Sequence, residues 1–313
     1  MNWQSAPPHV YDLIFQHLNL EDSLSASEVC QEWNVAINRS AVFQRKAKFA
    51  ISKYSIRESA VVIRSSVIDK SQRHYSNVVA RGFNSIQWSQ VKFYKMCRQL
   101  SVLNDRNPIK TFTLETPIGS WFLREYLLSI EGSLSEVEEF NLRMVGIFYE
   151  THSYNFELKL PELRRIRILQ SPAMDMGYQT LQIDSQYLQY ITICSNSTLG
   201  VIFNNPRARL KELCISIHAN RNHMIRETMA IKEFRLDTLI IKCVRVDQWV
   251  GRFVLHMVPR LNPQRVIVHS AVQDNSSSVD SFIAGFTALT AGIVKLEITV
   301  GGETKCDCGS YLF

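Results

Sequence analysis

The sequence lacks the features that mark secreted, membrane-spanning and nucleotide-binding proteins. Its 12 glycines and 9 prolines are spread over 313 residues, and none forms a Gly-x-Gly-x-x-Gly or Gly-x-x-x-x-Gly-Lys-[Ser/Thr] phosphate-binding motif. No apolar run approaches the ~20 residues that a membrane-spanning helix needs. The first residues also lack the basic start and apolar run of a secretory signal peptide. We therefore expect neither a leader nor a membrane partner.

The cysteines and histidines show no pattern of a disulfide framework or a metal site. The seven cysteines are odd in number and irregularly spaced, which favours reduced thiols and a cytoplasmic or nuclear location. Cys306-x-Cys308 is half of a tetrahedral zinc site, and Cys214, His218 and His223 form another incomplete set. The sequence therefore predicts no metal and no cofactor, and no spacing of residues selects a catalytic dyad.

The net charge is too small to indicate a nucleic-acid partner. The chain carries 35 basic and 29 acidic residues, a balance of +6. Acidic residues such as Glu115, Glu139, Glu212 and Glu297 interrupt the basic ones, which argues against a continuous basic stripe. Apolar residues make up 46% of the chain and charged residues 20%, as in ordinary globular proteins.

The N-terminal stretch contains three short helical patterns. Val10, Ile14 and Leu18 recur at i, i+4 and i+8, and Val29, Trp33 and Ile37 repeat that spacing. Pro7 and Pro8 suit the start of the first helix, and Asn19 or Asp22 can cap the second. Ser40 caps a third pattern, in which we expect Phe43, Ala47 and Ile51 to share one helical side. The apolar surface of such a small module exceeds what it can bury alone.

The spacing of these residues resembles the F-box. The residues in register with that motif are Pro7, Val10, Ile14, Phe15, Leu18, Asp22, Leu24, Val29, Cys30 and Trp33. Ala6, His9 and Tyr11 depart from the Leu, Glu and Leu that are usual in the family. The resemblance implies a three-helix domain, residues 1–50, that docks on a Skp-family adaptor and through it on a cullin–RING ubiquitin-protein ligase. All the matching residues except Asp22 are then candidate adaptor contacts. The alternative is an ordinary helical hairpin with Trp33 in its core.

The remainder of the chain repeats the pattern apolar-x-x-apolar-x-apolar. After a connector, residues 51–71, the repeats occupy residues 72–313, and successive copies from Ile109 onwards, including the looser one at Pro263, start 22 to 30 residues apart. A period of this size is typical of a solenoid. The copies are Ile109-Phe112-Leu114, Val137-Phe140-Leu142, Leu163-Ile166-Ile168, Leu188-Ile191-Ile193, Leu210-Leu213-Ile215, Leu236-Leu239-Ile241 and Ile293-Leu296-Ile298, with looser copies at Pro263-Val266-Val268 and Tyr75-Val78-Ala80.

Each copy ends in an alternating run that predicts a strand with one buried face, and helical spacing recurs between several copies. The predicted helices contain Val91, Tyr94 and Leu100; Trp121 to Ile130; Trp249 to Met257, stopped by Pro259; and Phe282, Ile283, Phe286 and Leu289. This alternation resembles a leucine-rich-repeat arc, an α/β fold with parallel strands on the inner face and helices outside. The Asn that usually follows the repeat core stands in place only at Asn196. The alternative is an unrelated α/β domain with similar buried strands.

The residues between the buried ones of each strand point to the opposite face, which we expect to be exposed and to bind a target protein. The candidate contacts on it are Arg143, Arg165, Arg167, Tyr190, Ile240, Lys242 and Arg265. Arginine beside tyrosine suits an acidic or phosphorylated target segment. A cross-strand pair between Glu139 and Arg165 is the competing interpretation.

Together these patterns predict a non-enzymatic, substrate-recognition subunit of an SCF-type ubiquitin ligase. Three alternatives remain open: an F-box scaffold that works outside the ligase, an enzyme with an unrecognised site, and a nucleic-acid binder. Co-purification with a cullin would favour the ligase subunit over the scaffold. A cluster of titratable residues in a deep pocket would favour an enzyme, and a continuous basic stripe would favour a nucleic-acid binder.

Overall fold

The computed structural model describes residues 7–52, 75–81, 100–105, 107–116, 128, 130–144, 149–150, 154–170, 175–176, 179–194, 199–203, 209–217, 235–272 and 276–301. The chain divides into two compact units. The first comprises Met1–Glu115 with Gly132–Val137, and the second comprises Thr116–Glu131 with Glu138–Phe313. Within the described ranges, no helix is long and apolar enough to cross a membrane.

The first unit begins with four short helices, α1 (Pro8–Phe15), α2 (Leu20–Ser27), α3 (Gln31–Arg39) and α4 (Ala41–Lys46). Pro7 occupies the N-cap of α1. The predicted caps of α2 and α4 are confirmed, because the side chain of Asn19 accepts from the N–H of Asp22 and that of Ser40 from the N–H of Phe43. The sequence therefore encodes the helix starts locally.

Aromatic packing and one lysine hold these helices together. Phe15, Ile37 and Phe43 are buried, and the ring of Phe15 meets that of Trp33 edge-on with centroids 6.3 Å apart. The ammonium of Lys46 donates to the carbonyls of Phe15, Gln16 and Leu18 at 3.2, 3.0 and 2.7 Å. A cation at carbonyls just past the last turn satisfies the C-terminal end of α1.

The helical pattern that starts at Ser40 ends earlier than predicted. Ala47 is the C-cap of α4, and Ile51 lies in a strand, β1 (Lys48–Ser52). β1 pairs in parallel with β2 (Asn77–Arg81), and β2 pairs with β3 (Thr111–Thr116). The looser copy Tyr75-Val78-Ala80 is confirmed as a repeat, because all three residues are buried. A parallel partner supplied by β2 overrides the weak local helical spacing of Ile51.

The second unit contains strands β4 to β15. The repeat strands are β4 (Glu139–Met144), β7 (Arg165–Gln170), β10 (Tyr190–Cys194), β12 (Arg209–Ile217), β13 (Arg235–Cys243), β14 (Arg265–Ser270) and β15 (Lys295–Val300). They pair in parallel in the order β4-β7-β10-β12-β13-β14-β15. With β1 to β3 there are ten parallel strands after the N-terminal helices. The predicted α/β class is confirmed, and the arrangement is consistent with a leucine-rich-repeat-like parallel arc.

The repeated apolar positions form the predicted continuous row. Ile191 pairs in register with Ile166 and Leu213, and Leu213 pairs with Leu239. All four side chains are fully buried. Parallel strands in register place equivalent positions beside one another, so one apolar residue per repeat is enough to build a shared core.

The turns before the strands repeat the same backbone hydrogen bonds. The N–H groups of Arg164 and Arg165 both donate to the carbonyl of Glu138, and those of Gln189 and Tyr190 both donate to the carbonyl of Arg164. Lys211 and Glu212 donate to Gln189 in the same way. This pair of bonds recurs before β7, β10 and β12 and sets the register of each of these strands against the preceding one.

Two helices follow the later strands, α5 (Gln248–Leu261) and α6 (Ser276–Thr290). The prediction that Pro259 stops α5 is wrong: the helix continues to Leu261, and Asn262 caps it in the left-handed region at φ 43°. Pro259 is tolerated close to this end because it removes only one bond of the last turn. In α6, Phe282 and Phe286 are buried, whereas Ile283 and Leu289 are exposed.

The last predicted copy is only partly correct. Its strand is present as β15, but Ile293 is 86% exposed and Leu296 and Ile298 are half-buried. β15 is the last strand in the order and has a described neighbour on one side only, β14. An edge strand buries less of its apolar side chains than a central one, whatever its sequence.

Further strands lie between the central repeats, and the sequence did not predict them. β6 (Tyr154–Lys159), β9 (Gln179–Asp184) and β11 (Leu199–Phe203) form a second parallel sheet in the order β11-β9-β6, and β5 (Tyr149–Glu150) pairs with β8 (Asp175–Met176). Several predicted features lie outside the described residues: residues 53–71 of the connector, the pattern at Val91 and Tyr94, the start of the Trp121 pattern, Asn196 and the Cys306 pair.

Candidate binding surfaces

The helical module, residues 7–47, exposes apolar side chains that its own packing does not use. Val29 is 73% exposed, Leu13 56% and Val35 42%. Leu13 lies on α1, Val29 follows α2 and Val35 lies on α3, so each helix of the predicted motif contributes one. Exposed apolar residues on so small a unit indicate a protein-binding surface.

The candidate adaptor contacts have different positions in this module. Val29 and Cys30 are exposed, as is Pro7, whereas Val10, Ile14, Leu18 and Trp33 are half-buried and Phe15 is buried. Leu24 lies in α2. Phe15 can therefore affect a partner only through the shape of the module. Leu13 and Val35 are exposed residues that the motif did not select. The residue one helical turn before Val35 is the polar Gln31, so the sequence shows no apolar row on that side of α3.

A cleft of about 420 Å³ opens between α1 and α3. Tyr11 and Asp12 line one wall, and Glu32, Val35 and Arg39 line the other. Asp12 accepts a hydrogen bond from the hydroxyl of Ser40. A backbone hydrogen bond at the start of α3, assisted by the Cys30 side chain, lowers the pKa of Glu32. The cleft thus combines an apolar wall with fixed charges of both signs.

In the second unit, the positions between the buried ones of β4 to β15 form the three rows that the alternation predicts. The first row begins with Glu139, Arg165 and Tyr190, the second with Asn141, Arg167 and Thr192, and the third with Arg143, Leu169 and Cys194. Ile240 belongs to the second row, Lys242 to the third and Arg265 to the first. We call this side of the repeat strands β4, β7, β10, β12, β13, β14 and β15 the strand face.

The strand face is less exposed than predicted towards the ends of the central strands. Leu169, Cys194, Cys214 and Ser216 are buried, and so is Asn141. Leu169 and Cys194 pack together with Val244 against them. The expected exposed face is therefore corrected: in the first row Arg265 and Lys295 are exposed and the other members are half-buried, and the positions named above are buried. Side chains of neighbouring strands cover one another there, as those of Leu169, Cys194 and Val244 do.

The predicted cross-strand pair of Glu139 with Arg165 is not the one that forms. Glu139 lies 3.9 Å from the Nε of Arg167 and accepts from the amide of Asn141 at 3.3 Å. The guanidinium carbon of Arg165 instead lies 4.5 Å from the ring centroid of Tyr190. The ammonium of Lys211 lies 5.9 Å from the same centroid. Sequence reasoning missed Lys211, because its place before the alternating run hides that it reaches the first row.

At β14 and β15, the last two strands of the strand face, the charged side chains form ion pairs with one another. Glu297 on β15 pairs with Arg265 and lies 2.8 Å from the ammonium of Lys295. Hydrogen bonds from Arg265 and then Lys295 lower the pKa of Glu297 to about 2. Arg265, one of the candidate target contacts, therefore already has a carboxylate partner.

His269 makes the stability of the strand face depend on pH. Burial, and then the charge of Lys242, lower the pKa of His269 below its usual value of 6.5. Below that value the unfolded chain binds a proton that the folded chain resists, so the free energy of unfolding falls as pH drops below about 6.5. We expect urea unfolding between pH 7.5 and 5.5 to show a smaller loss of unfolding free energy for His269→Gln than for the wild type. The slopes of unfolding free energy against pH should differ by the equivalent of a fraction of one bound proton. Equal slopes would contradict this; His256→Gln on α5 is the matched control.

No group of three or more His, Cys, Asp or Glu side chains able to hold a metal occurs among the residues that the structure describes. The sequence matches no protein-family model, and no curated protein matches it.

Proposed function

We propose that this chain is the substrate-recognition subunit of an SCF-type cullin–RING ubiquitin-protein ligase. The helical module acts as an F-box that binds a Skp-family adaptor and, through it, a cullin. The strand face of the leucine-rich-repeat-like domain binds the target protein. The chain performs no bond chemistry of its own; it works in the cytoplasm or nucleus by holding the target near the enzyme that carries ubiquitin, which raises their effective concentration.

One observation carries this proposal: the residues that match the F-box spacing lie on or beside three short helices that expose apolar side chains. A module of four helices with a core of Phe15, Ile37 and Phe43 has no internal use for Leu13, Val29 and Val35. The burial of such side chains in the centre of an interface is the usual source of binding energy between proteins. The parallel strands of the second unit supply the surface for the target.

The adaptor interface predicts a selective loss of binding. We expect Val29→Ser/Val35→Ser to weaken binding of a purified Skp-family adaptor by at least about tenfold, since each truncated contact in an interface core costs about 1 kcal/mol or more. Isothermal titration calorimetry measures this affinity. The matched control is Val272→Ser/Val300→Ser, which removes two exposed valines from the second unit and should leave the affinity unchanged.

The same proteins test the whole assignment. If the wild-type chain does not bind the adaptor, or if both double variants bind it equally well, the F-box assignment is wrong. A chain that binds the adaptor but does not co-purify with a cullin would instead support the scaffold that acts outside the ligase.

A further inference from the structure

Two cations on the strand face contact an aromatic ring in place of a carboxylate. Elsewhere in the second unit, Arg209 pairs with Asp237 at 3.0 Å and Lys295 with Glu297 at 2.8 Å. Among the described residues, no carboxylate oxygen lies within 4.0 Å of a side-chain nitrogen of Arg165 or Lys211. Both lie against the ring of Tyr190 instead. The aromatic ring holds them in place but does not neutralise them.

The charge around Tyr190 is positive. Arg165 and Arg167 on β7 and Lys211 on β12 supply three cations, against the carboxylates of Glu139 and Glu212 on the neighbouring strands. Glu139 is engaged by Arg167 and Asn141. Lys211 is exposed and Arg165 is half-buried, so a ligand from outside can reach both cations at the ring.

An apolar site lies two and three strands away on the same face. Ile240 on β13 and Ile267 on β14 are neighbours in register, and both are half-buried. From Tyr190 to Ile240 is two strand spacings across and two residues along, which corresponds to about 12 Å. An extended peptide advances about 3.4 Å per residue, so four residues span this distance.

Beyond the apolar pair, the carboxylate of Glu297 on β15 makes the strand face unfavourable for a further anion. Glu297 engages both Arg265 and Lys295, so an anion that arrived there would compete with a carboxylate already in place. The apolar pair on β13 and β14 therefore lies between the cations at Tyr190 and the ion pairs of Glu297.

From this arrangement we infer that the strand face binds an acidic peptide segment in an extended conformation. Two carboxylates of the segment contact Arg165 and Lys211 beside Tyr190, and an apolar side chain about four residues away covers Ile240 and Ile267. Two carboxylates match the two cations at the ring of Tyr190, and the flat guanidinium of Arg165 presents its N–H edge for a bidentate contact. The inference rests on the proposed function only in taking this segment to belong to the ligase target.

Synthetic peptide libraries test this site. Three libraries carry a fixed Glu-x-Glu, Gln-x-Gln or phosphoserine-x-phosphoserine core with six degenerate positions on each side. Each is passed over the immobilised full chain at physiological ionic strength, and the bound peptides are sequenced. We expect the Glu library to be retained at least about tenfold over the Gln library, with Leu, Ile, Val or Phe enriched four residues from the nearer Glu.

Variants separate the two parts of the site. Arg165→Gln/Lys211→Gln should remove the preference for Glu, and Ile240→Ser should remove the apolar enrichment while the preference for Glu stays. Arg265→Gln is the matched control, because its guanidinium already pairs with Glu297, and it should change neither result. Circular dichroism melting of each variant confirms that it is folded.

Several outcomes would overturn the inference. Equal retention of the Glu and Gln libraries would show that no acidic site exists. Stronger retention of the phosphoserine library, with the same dependence on Arg165 and Lys211, would replace the carboxylates by phosphates. Equally strong competition by a single-stranded oligonucleotide would indicate a general polyanion surface. None of these results depends on adaptor binding, so the test can fail while the ligase assignment stands, and the reverse.

Discussion

Ile191→Asp is expected to unfold the second unit under conditions where the wild type is stable. Ile191 is fully buried on β10 between Ile166 and Leu213, which are fully buried as well. A carboxylate there has apolar neighbours on both adjacent strands. An unpaired buried charge costs about 3–5 kcal/mol, a large part of the 5–15 kcal/mol that is typical of a folded domain.

Urea unfolding followed by circular dichroism measures this loss. The control is Thr192→Asp, one residue further on the same strand, whose side chain points to the half-buried strand face beside Arg167. We expect the control to change the unfolding free energy by less than about 1 kcal/mol. The Ile191→Asp defect should also lessen at low pH, where the buried carboxyl is protonated and uncharged. An unchanged midpoint for Ile191→Asp would show that the row of apolar residues is not a core.

Phe15→Ala is expected to loosen the helical module. Phe15 is 1% exposed and packs against Tyr11, with centroids 6.0 Å apart, and against Trp33. Replacing a buried phenylalanine by alanine costs about 3–5 kcal/mol through lost burial and the cavity left behind. A module of four short helices has few other large side chains to compensate.

Hydrogen exchange read by mass spectrometry resolves this effect by segment. We expect amides in α1, α3 and α4 to lose protection in Phe15→Ala and to keep it in Leu13→Ala, which truncates an exposed side chain of the same helix. If the two variants exchange alike, Phe15 does not hold the module together. The pair also distinguishes shape from contact, since only Leu13 is placed to contact an adaptor directly.

The sequence predicted the repeat strands well, because each copy encodes its own buried positions. Leu213 and Leu239 occupy the same place in their copies and become neighbours in register. Helix caps were equally local: Asn19 and Ser40 each bond a backbone N–H three residues ahead. The domain boundaries, the adaptor contacts and the ligase partners stay predictions.

What the sequence could not predict depended on neighbours far away in the chain. Ile51 fits a helical spacing, yet pairing with β2 makes it part of a strand. The sequence did not predict β6, β9 and β11, because the alternation of apolar and polar residues is weak in each of them. They form strands through pairing with one another. Ile293 has the same apolar character as its counterparts, but the last strand in the order leaves it exposed.

The sequence by itself determined the parallel repeat, since the alternation of apolar residues and the spacing of copies decide which side of each strand is buried. Only the tertiary structure decided how the opposite side is used. Glu139 had Arg165 and Arg167 within reach, and it pairs with Arg167, while Arg165 joins Lys211 at Tyr190. Such choices depend on side chains from three or more strands at once, and short-range patterns carry no information about them.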